Sequence, residues 1–322
     1  MKNPYRFNLL LLLCALAVFI GGCSFFAVTF APKKKAVQKD FGLKTHAVNY
    51  FWQHFHSGNY DSIPEMLNLL TAAYLKNPND PEIARYIGFT HLWALAESER
   101  IPESEVKATI TDHAVMARKY FEEAHELEPK NGIATGFLAS CLMAEGTIHN
   151  SQKEIRKGYF MLNKAIRQWP EFNYFTAGYN LSGMNYDSKI FNKAVEYQWK
   201  NIEICIGEKL DRTNPDIFKL KKMFDTTGRK SPCWNGYKAP HNFEGFMMNM
   251  GDMLVKKGDV KTALVIYNNT KFSTTYNSWP FKHLLEERIA DAEQNIPSFR
   301  GETEGTAMMF QSAITCVSCH QQ

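Results

Sequence analysis

The chain of 322 residues is most informative first in what it lacks. No stretch of residues 41–297 sustains strict apolar–polar alternation, so a half-buried sheet is not expected in the body. Charge of one sign is scarce. The 37 Lys and Arg against 33 Asp and Glu leave only +4, too little and too evenly spread for a nucleic-acid surface. Gly-x-Ser-x-Gly, His-Glu-x-x-His and a phosphate-binding loop are all missing, so no hydrolase constellation emerges and an enzyme is not expected. Low complexity is absent as well. With 45% hydrophobic and 22% charged residues the mix is that of a folded globular protein. A chain this long can bury its own core, which excludes a disulfide-stapled mini-protein.

What is there begins with an address. Lys2 and Arg6 precede an uninterrupted apolar run over residues 9–20, and Gly21-Gly22-Cys23 follows. A basic start, an apolar middle and small residues at the cut make the plan of an export signal. The segment ending at Cys23 resembles the lipobox of bacterial lipoproteins. That resemblance implies a signal peptide over 1–22, cleavage before Cys23, lipid on its thiol and a body in the periplasm of a bacterial cell envelope, attached to the membrane by the lipid. An uncleaved membrane helix is the alternative. Residues 9–31 are 23 mostly apolar positions, where about 20 suffice to cross a bilayer, and Lys33-Lys34-Lys35 would then favour a cytoplasmic body. A simple cleaved signal is the third reading. Residues 31–38 carry Pro32 and the three lysines and read as a solvated tether, so 23–40 is taken as lipidated Cys plus basic tether.

Helical spacing dominates residues 41–297, with Pro or Gly at the joints. The clearest unit sets Ala117, Phe121 and Ala124 on one face and stops at Pro129. Small residues let a neighbouring helix approach, Phe fills the groove, and Pro cannot continue the helix. Leu70, Ala73 and Pro78 repeat the spacing, as do Gly158, Leu162, Ala165 and Pro170; Phe246, Met250, Gly251 and Leu254 lead through Gly258 and Asp259 to Ala263 and Tyr267. This phrase resembles the tetratricopeptide repeat, a helix–turn–helix of about 34 residues. The resemblance implies an all-α, irregular helical-hairpin solenoid in four or five units, with enlarged loops where residues are added between Gly88 and Ala117 and between Gly146 and Gly158, and a degenerate stretch over 185–242. It also implies a concave face that takes a protein partner. Tyr50, Phe51, Trp52, Phe55, Tyr197 and Trp199 are candidates to line that face, with plain core packing as the competing expectation.

The last residues carry the chemistry. Cys316-Val317-Ser318-Cys319-His320 resembles the haem attachment sequence of c-type cytochromes. Two thiols three apart on a helical turn meet the two vinyl groups of one haem, and His320 then lies under the iron as an axial imidazole. The resemblance implies one covalent haem c, attached at Cys316 and Cys319, in a C-terminal segment 298–322. A redox dithiol, part of a zinc site and an exposed tail disulfide are the competing readings. Residues 308–320 resemble the last helix of cytochrome c-prime, and residues 306–320 are expected to form one continuous helix. On it Met309 lies eleven residues before His320, about 16 Å away, so Met308 and Met309 are expected to pack apolar surface rather than bind iron. A second ligand from the solenoid would come from His241 or His283, for each of which a packed or solvated ring competes.

Of the other cysteines, a Cys205–Cys233 disulfide is compatible with an oxidising compartment, and Cys141 reads as a buried free thiol. The expectation is an exported, lipid-anchored, haem-binding protein for electron transfer or redox sensing, with the solenoid as docking scaffold. The rival is a haem-free tetratricopeptide lipoprotein that scaffolds envelope assembly.

Overall fold

A computed structural model describes residues 24–39, 42–101, 106–224, 227–234 and 241–321. The chain divides into two compact units, 1–35 and 36–322. In the first, residues 24–29 are helical, and Phe25, Phe26, Val28 and Phe30 are exposed. Cys23 and the expected cleavage point lie outside the described residues. No helix among the described residues is long and apolar enough to cross a membrane.

The second unit is an all-α, solenoid-like stack of helices packed in adjacent pairs, with no strand among the described residues. The pairs are α1 (Gly42–His56) with α2 (Ile63–Lys76), α3 (Pro81–Ala96) with α4 (Val106–Leu127), α5 (Gly132–Ile148) with α6 (Gln152–Gln168), α7 (Pro170–Leu181) with α8 (Lys189–Ile206), and α9 (Phe243–Lys257) with α10 (Val260–Thr270). Then come α11 (Lys282–Ala290), α12 (Asn295–Arg300) and the single turn α13 (Val317–His320).

The repeated phrase marks the second helix of successive pairs. Leu70 and Ala73 on α2, Ala117, Phe121 and Ala124 on α4, and Leu162 and Ala165 on α6 are all buried. Gly88 of α3 lets the α4 helix close in, since a Cβ there would stand 2.9 Å from the Phe121 ring. Side-chain caps start the helices that follow. Asp80 accepts from the N–H groups of Glu82 and Ile83, and Asn131 from those of Ile133 and Ala134; each such cap stabilises by about 1 kcal/mol. Gly258 ends α9 in the left-handed region, and Asp259 caps α10. The enlarged loop expected between Gly146 and Gly158 is not formed. Instead α5 runs on to Ile148 and α6 starts at Gln152, so the added residues lengthen helices.

Residues 297 and 298 lie inside α12. One expectation about the C-terminal segment is corrected: the continuous helix over 306–320 is not formed. Met309–Gln311 is one 3-10 turn, residues 312–316 are turns, and only Val317–His320 is α-helical. Thr306, Ser312 and Thr315 are weak helix formers. The backbone groups also have tertiary partners. The Met309 N–H donates to Asp252 (2.8 Å), and the Cys316 and Val317 N–H groups donate to Glu97. Met308 and Met309, 1% and 0% exposed, do pack the main core.

The stretch after α8 descends in short turns and is joined back to that helix by the Cys205–Cys233 disulfide. Cys141 is a buried free thiol. The bridge spans 28 positions, which by chain entropy corresponds to roughly 3–4 kcal/mol. Replacing both cysteines by Ser should lower the melting temperature by on the order of 5 °C, read by circular dichroism; an unchanged midpoint would remove the bridge from the stability of the stack.

Candidate functional site

Two polar side chains fix the backbone of the terminal turn. Glu97, the residue that ends α3, is fully buried. Its Oε1 accepts the N–H groups of Cys316 (3.0 Å) and Val317 (2.9 Å), while its Oε2 lies 3.1 Å from the Arg100 guanidinium. Burial pushes the carboxyl pKa up, and the Val317 N–H and the Arg100 charge oppose that shift. Asn242 is the N-cap of α9, its Oδ1 accepting from the Gly245 N–H at 2.7 Å. The same residue donates from Nδ2 to the carbonyls of Ser318 and Gln321, both at 3.0 Å, and from its backbone N–H to that of Cys319 at 2.6 Å.

Further contacts complete the seat. Trp279 Nε1 donates to the Ser318 carbonyl (3.0 Å), the Tyr179 hydroxyl to that of Thr315 (2.8 Å), and Arg100 Nε to that of Ala313 (2.9 Å). Gly245 permits the close approach. A Cβ on it would lie 2.5 Å from the Ser318 oxygen and 2.7 Å from the Cys319 Cα.

Cys316, Cys319 and His320 all line one cavity of about 470 Å³, within the range of ordinary ligand sites. Its walls come from α3 (Leu92, Leu95, Ala96), α5 (Phe137, Ser140, Ala144) and α7 (Phe175, Thr176, Tyr179), with Phe310 and Gln311 from the terminal segment. The face formed by these odd-numbered helices is thus lined in part by residues 310–320 of the same chain. Burial pushes the Cys319 thiol up to about 12 and Cys316 well above its usual range. Both shifts run opposite to that of the low-pKa thiolate of an exchange-active dithiol.

His241 lies on the same cavity, its ring centroid 4.5 Å from that of His320. His283 does not; it is exposed, with Nδ1 3.2 Å from the Pro280 carbonyl. Met308 and Met309 are absent from the cavity wall. Phe51, Tyr197 and Trp199 are core residues, Tyr50 and Trp52 are half-buried, and Phe55 packs on His320 with ring centroids 4.6 Å apart. Sequence reasoning missed Glu97, Asn242, Trp279 and Tyr179. Only Asn242 carried a local signal, as an N-cap residue ahead of an apolar helical run.

Alanine usually stabilises a helix over glycine by about 0.5–1 kcal/mol. Gly245→Ala should instead destabilise by about 1–3 kcal/mol, the cost of overpacking against the terminal turn. Urea denaturation reads the sign, and a gain in stability would mean that the turn is not held against α9. No protein-family model, no curated protein and no solved structure matches this chain.

Proposed function

We propose that this chain is an exported, monohaem, c-type cytochrome-like protein that transfers electrons or senses redox state in an envelope complex. The observation that carries this reading is the convergence of Cys316, Cys319 and His320 on one largely apolar cavity. The residues fit a covalent haem: two thiols for the thioether bonds, an adjacent imidazole for the iron, and walls of Leu92, Leu95, Phe137 and Phe175 to exclude water. When bound, the group supplies one-electron chemistry at its iron.

The chain's own residues hold and tune it. Glu97, Asn242 and Trp279 fix the backbone of the attachment turn, so thiols and imidazole are set by bonds outside the motif, as outer partners set metal ligands generally. The apolar walls keep water from the centre and thereby bias its potential. The Cys205–Cys233 disulfide supports an oxidising compartment. With the lipobox-like segment at Cys23, this favours a periplasmic body anchored to a bacterial membrane by lipid. The tetratricopeptide-like repeats supply the scaffold for a protein partner. Because residues of the terminal segment already line the odd-helix face, we assign partner docking to the cavity rim, where Glu99 and Gln311 are exposed.

A haem-stained denaturing gel of the full chain should show covalent haem. Cys316→Ala or Cys319→Ala should weaken or abolish the stain, and His320→Ala should keep attachment but change the absorption spectrum. Met308→Leu and Met309→Leu should leave the spectrum unaltered, since both side chains are buried away from the cavity and Leu keeps the volume. An unstained wild-type band would leave the haem-free envelope scaffold as the reading.

A further inference from the structure

Neither the cavity nor the repeats use residues 24–35. In the first compact unit residues 24–29 are helical, and the Phe30 N–H still donates to the Phe26 carbonyl at 2.9 Å. Phe25, Phe26, Val28 and Phe30 are all more than half exposed. Elsewhere among the described residues exposed large apolar side chains stand apart in the sequence, as at Leu75, Phe160 and Phe272, and single ones need no explanation. Here four fall within six positions. At about 100° per residue they spread around the helix instead of forming one stripe. A helix that is apolar all round belongs in a core or in a membrane, and exposure excludes the core.

Charge of one sign follows directly. Pro32 cannot continue the helix, and Lys33, Lys34 and Lys35 come next, all exposed. Residues 24–39 contain no Asp or Glu. An anionic lipid surface matches both features at once, with the aromatic rings below the head groups and the ammonium groups on the phosphates. Length fixes the depth. The helix over 24–29 extends about 9 Å, close to the roughly 5–10 Å that an interfacial helix enters and far short of the roughly 30 Å hydrocarbon core.

We propose that residues 24–35 form a second membrane contact beside the lipid on Cys23. Phe25, Phe26, Val28 and Phe30 enter the interface of an anionic bilayer, and Lys33, Lys34 and Lys35 hold its head groups. This rests on the cleavage before Cys23 read above and is independent of the haem assignment.

The test uses the mature protein purified after export of the full chain, with intact mass reporting its first residue. Phe26→Trp and Phe30→Trp variants are placed in phosphatidylcholine vesicles with and without phosphatidylglycerol, brominated either near the head groups or near the acyl-chain ends. The added tryptophan, read as the difference from wild type, should emit at shorter wavelength than in water and be quenched most by the shallow bromine. A companion chain carrying Cys23→Ser, exported behind a cleavable signal and therefore without lipid, should still float with phosphatidylglycerol vesicles. Lys33→Gln, Lys34→Gln and Lys35→Gln should each weaken that binding by roughly fivefold. Water-like, unquenched emission from a chain that begins at Cys23, or no flotation of the Cys23→Ser chain, would overturn the contact and leave the lipid anchor standing. Binding that ignores phosphatidylglycerol would overturn the role of the lysines. Quenching strongest at the acyl-chain ends would mean a spanning helix and overturn the interfacial contact. A chain that still begins at Met1 would overturn the cleavage and this inference together.

Discussion

In a stack of helical hairpins each unit ordinarily touches only its neighbours. Residues 308–321 break that rule, and the buried polar anchors that receive them are what the arrangement depends on. Asp252 accepts from the Tyr267 hydroxyl (2.6 Å), from Arg288 Nε (2.9 Å) and from the Met309 N–H (2.8 Å). Glu97 accepts two N–H groups from the terminal turn. Burying a carboxylate costs several kcal/mol unless its lone pairs are used, and here the terminal segment supplies part of what uses them. The apolar burial of Met308, Met309 and Val317 contributes roughly 1.5–3 kcal/mol for each side chain. Such burial is non-directional, and the hydrogen bonds set the register.

The same anchors give the site its stiffness. Neither the thiol-bearing turn nor the residue after His241 hangs on a loop of its own, since Asn242 is at once helix cap and clamp. The walls belong to α3, α5 and α7, three helices whose spacing is set by the buried Ala, Gly and Phe contacts of the repeats. Repeat packing and cavity shape are therefore consequences of one residue pattern.

That pattern is local, which is why it could be read from the sequence. Ala117, Phe121 and Ala124 announce a packed helix face within eight positions, and the Pro joints at Pro78, Pro129 and Pro170 mark where helices break. Cys316, Cys319 and His320 are equally local, lying within five positions, and they share one cavity wall. Nothing local separates Glu97 from any solvated glutamate, because its partner Val317 is 220 positions away. His241 and His283 looked alike in sequence. What distinguishes them is the bonding of Asn242 to carbonyls 76 and 79 positions on. The helix expected over 306–320 failed in the opposite way. Its apolar spacing suited a helix, but its Thr and Ser residues form helix weakly, and Asp252, Glu97 and Asn242 hold the backbone in turns.

The span of these bonds bears on the order of events in the life of the chain. Gln321 reaches Ser57 across 264 positions and Val317 reaches Glu97 across 220. Closing loops of that length is slow as well as entropically costly. A chain that is made, or threaded across a membrane, from its N-terminus has the Phe55 and Glu97 side of the groove long before it has anything to fill it. Until the last residues arrive the first hairpins wait incomplete. Docking of the terminal turn, which leaves Cys319 2% exposed, is thus the step that completes the opposite end of the stack.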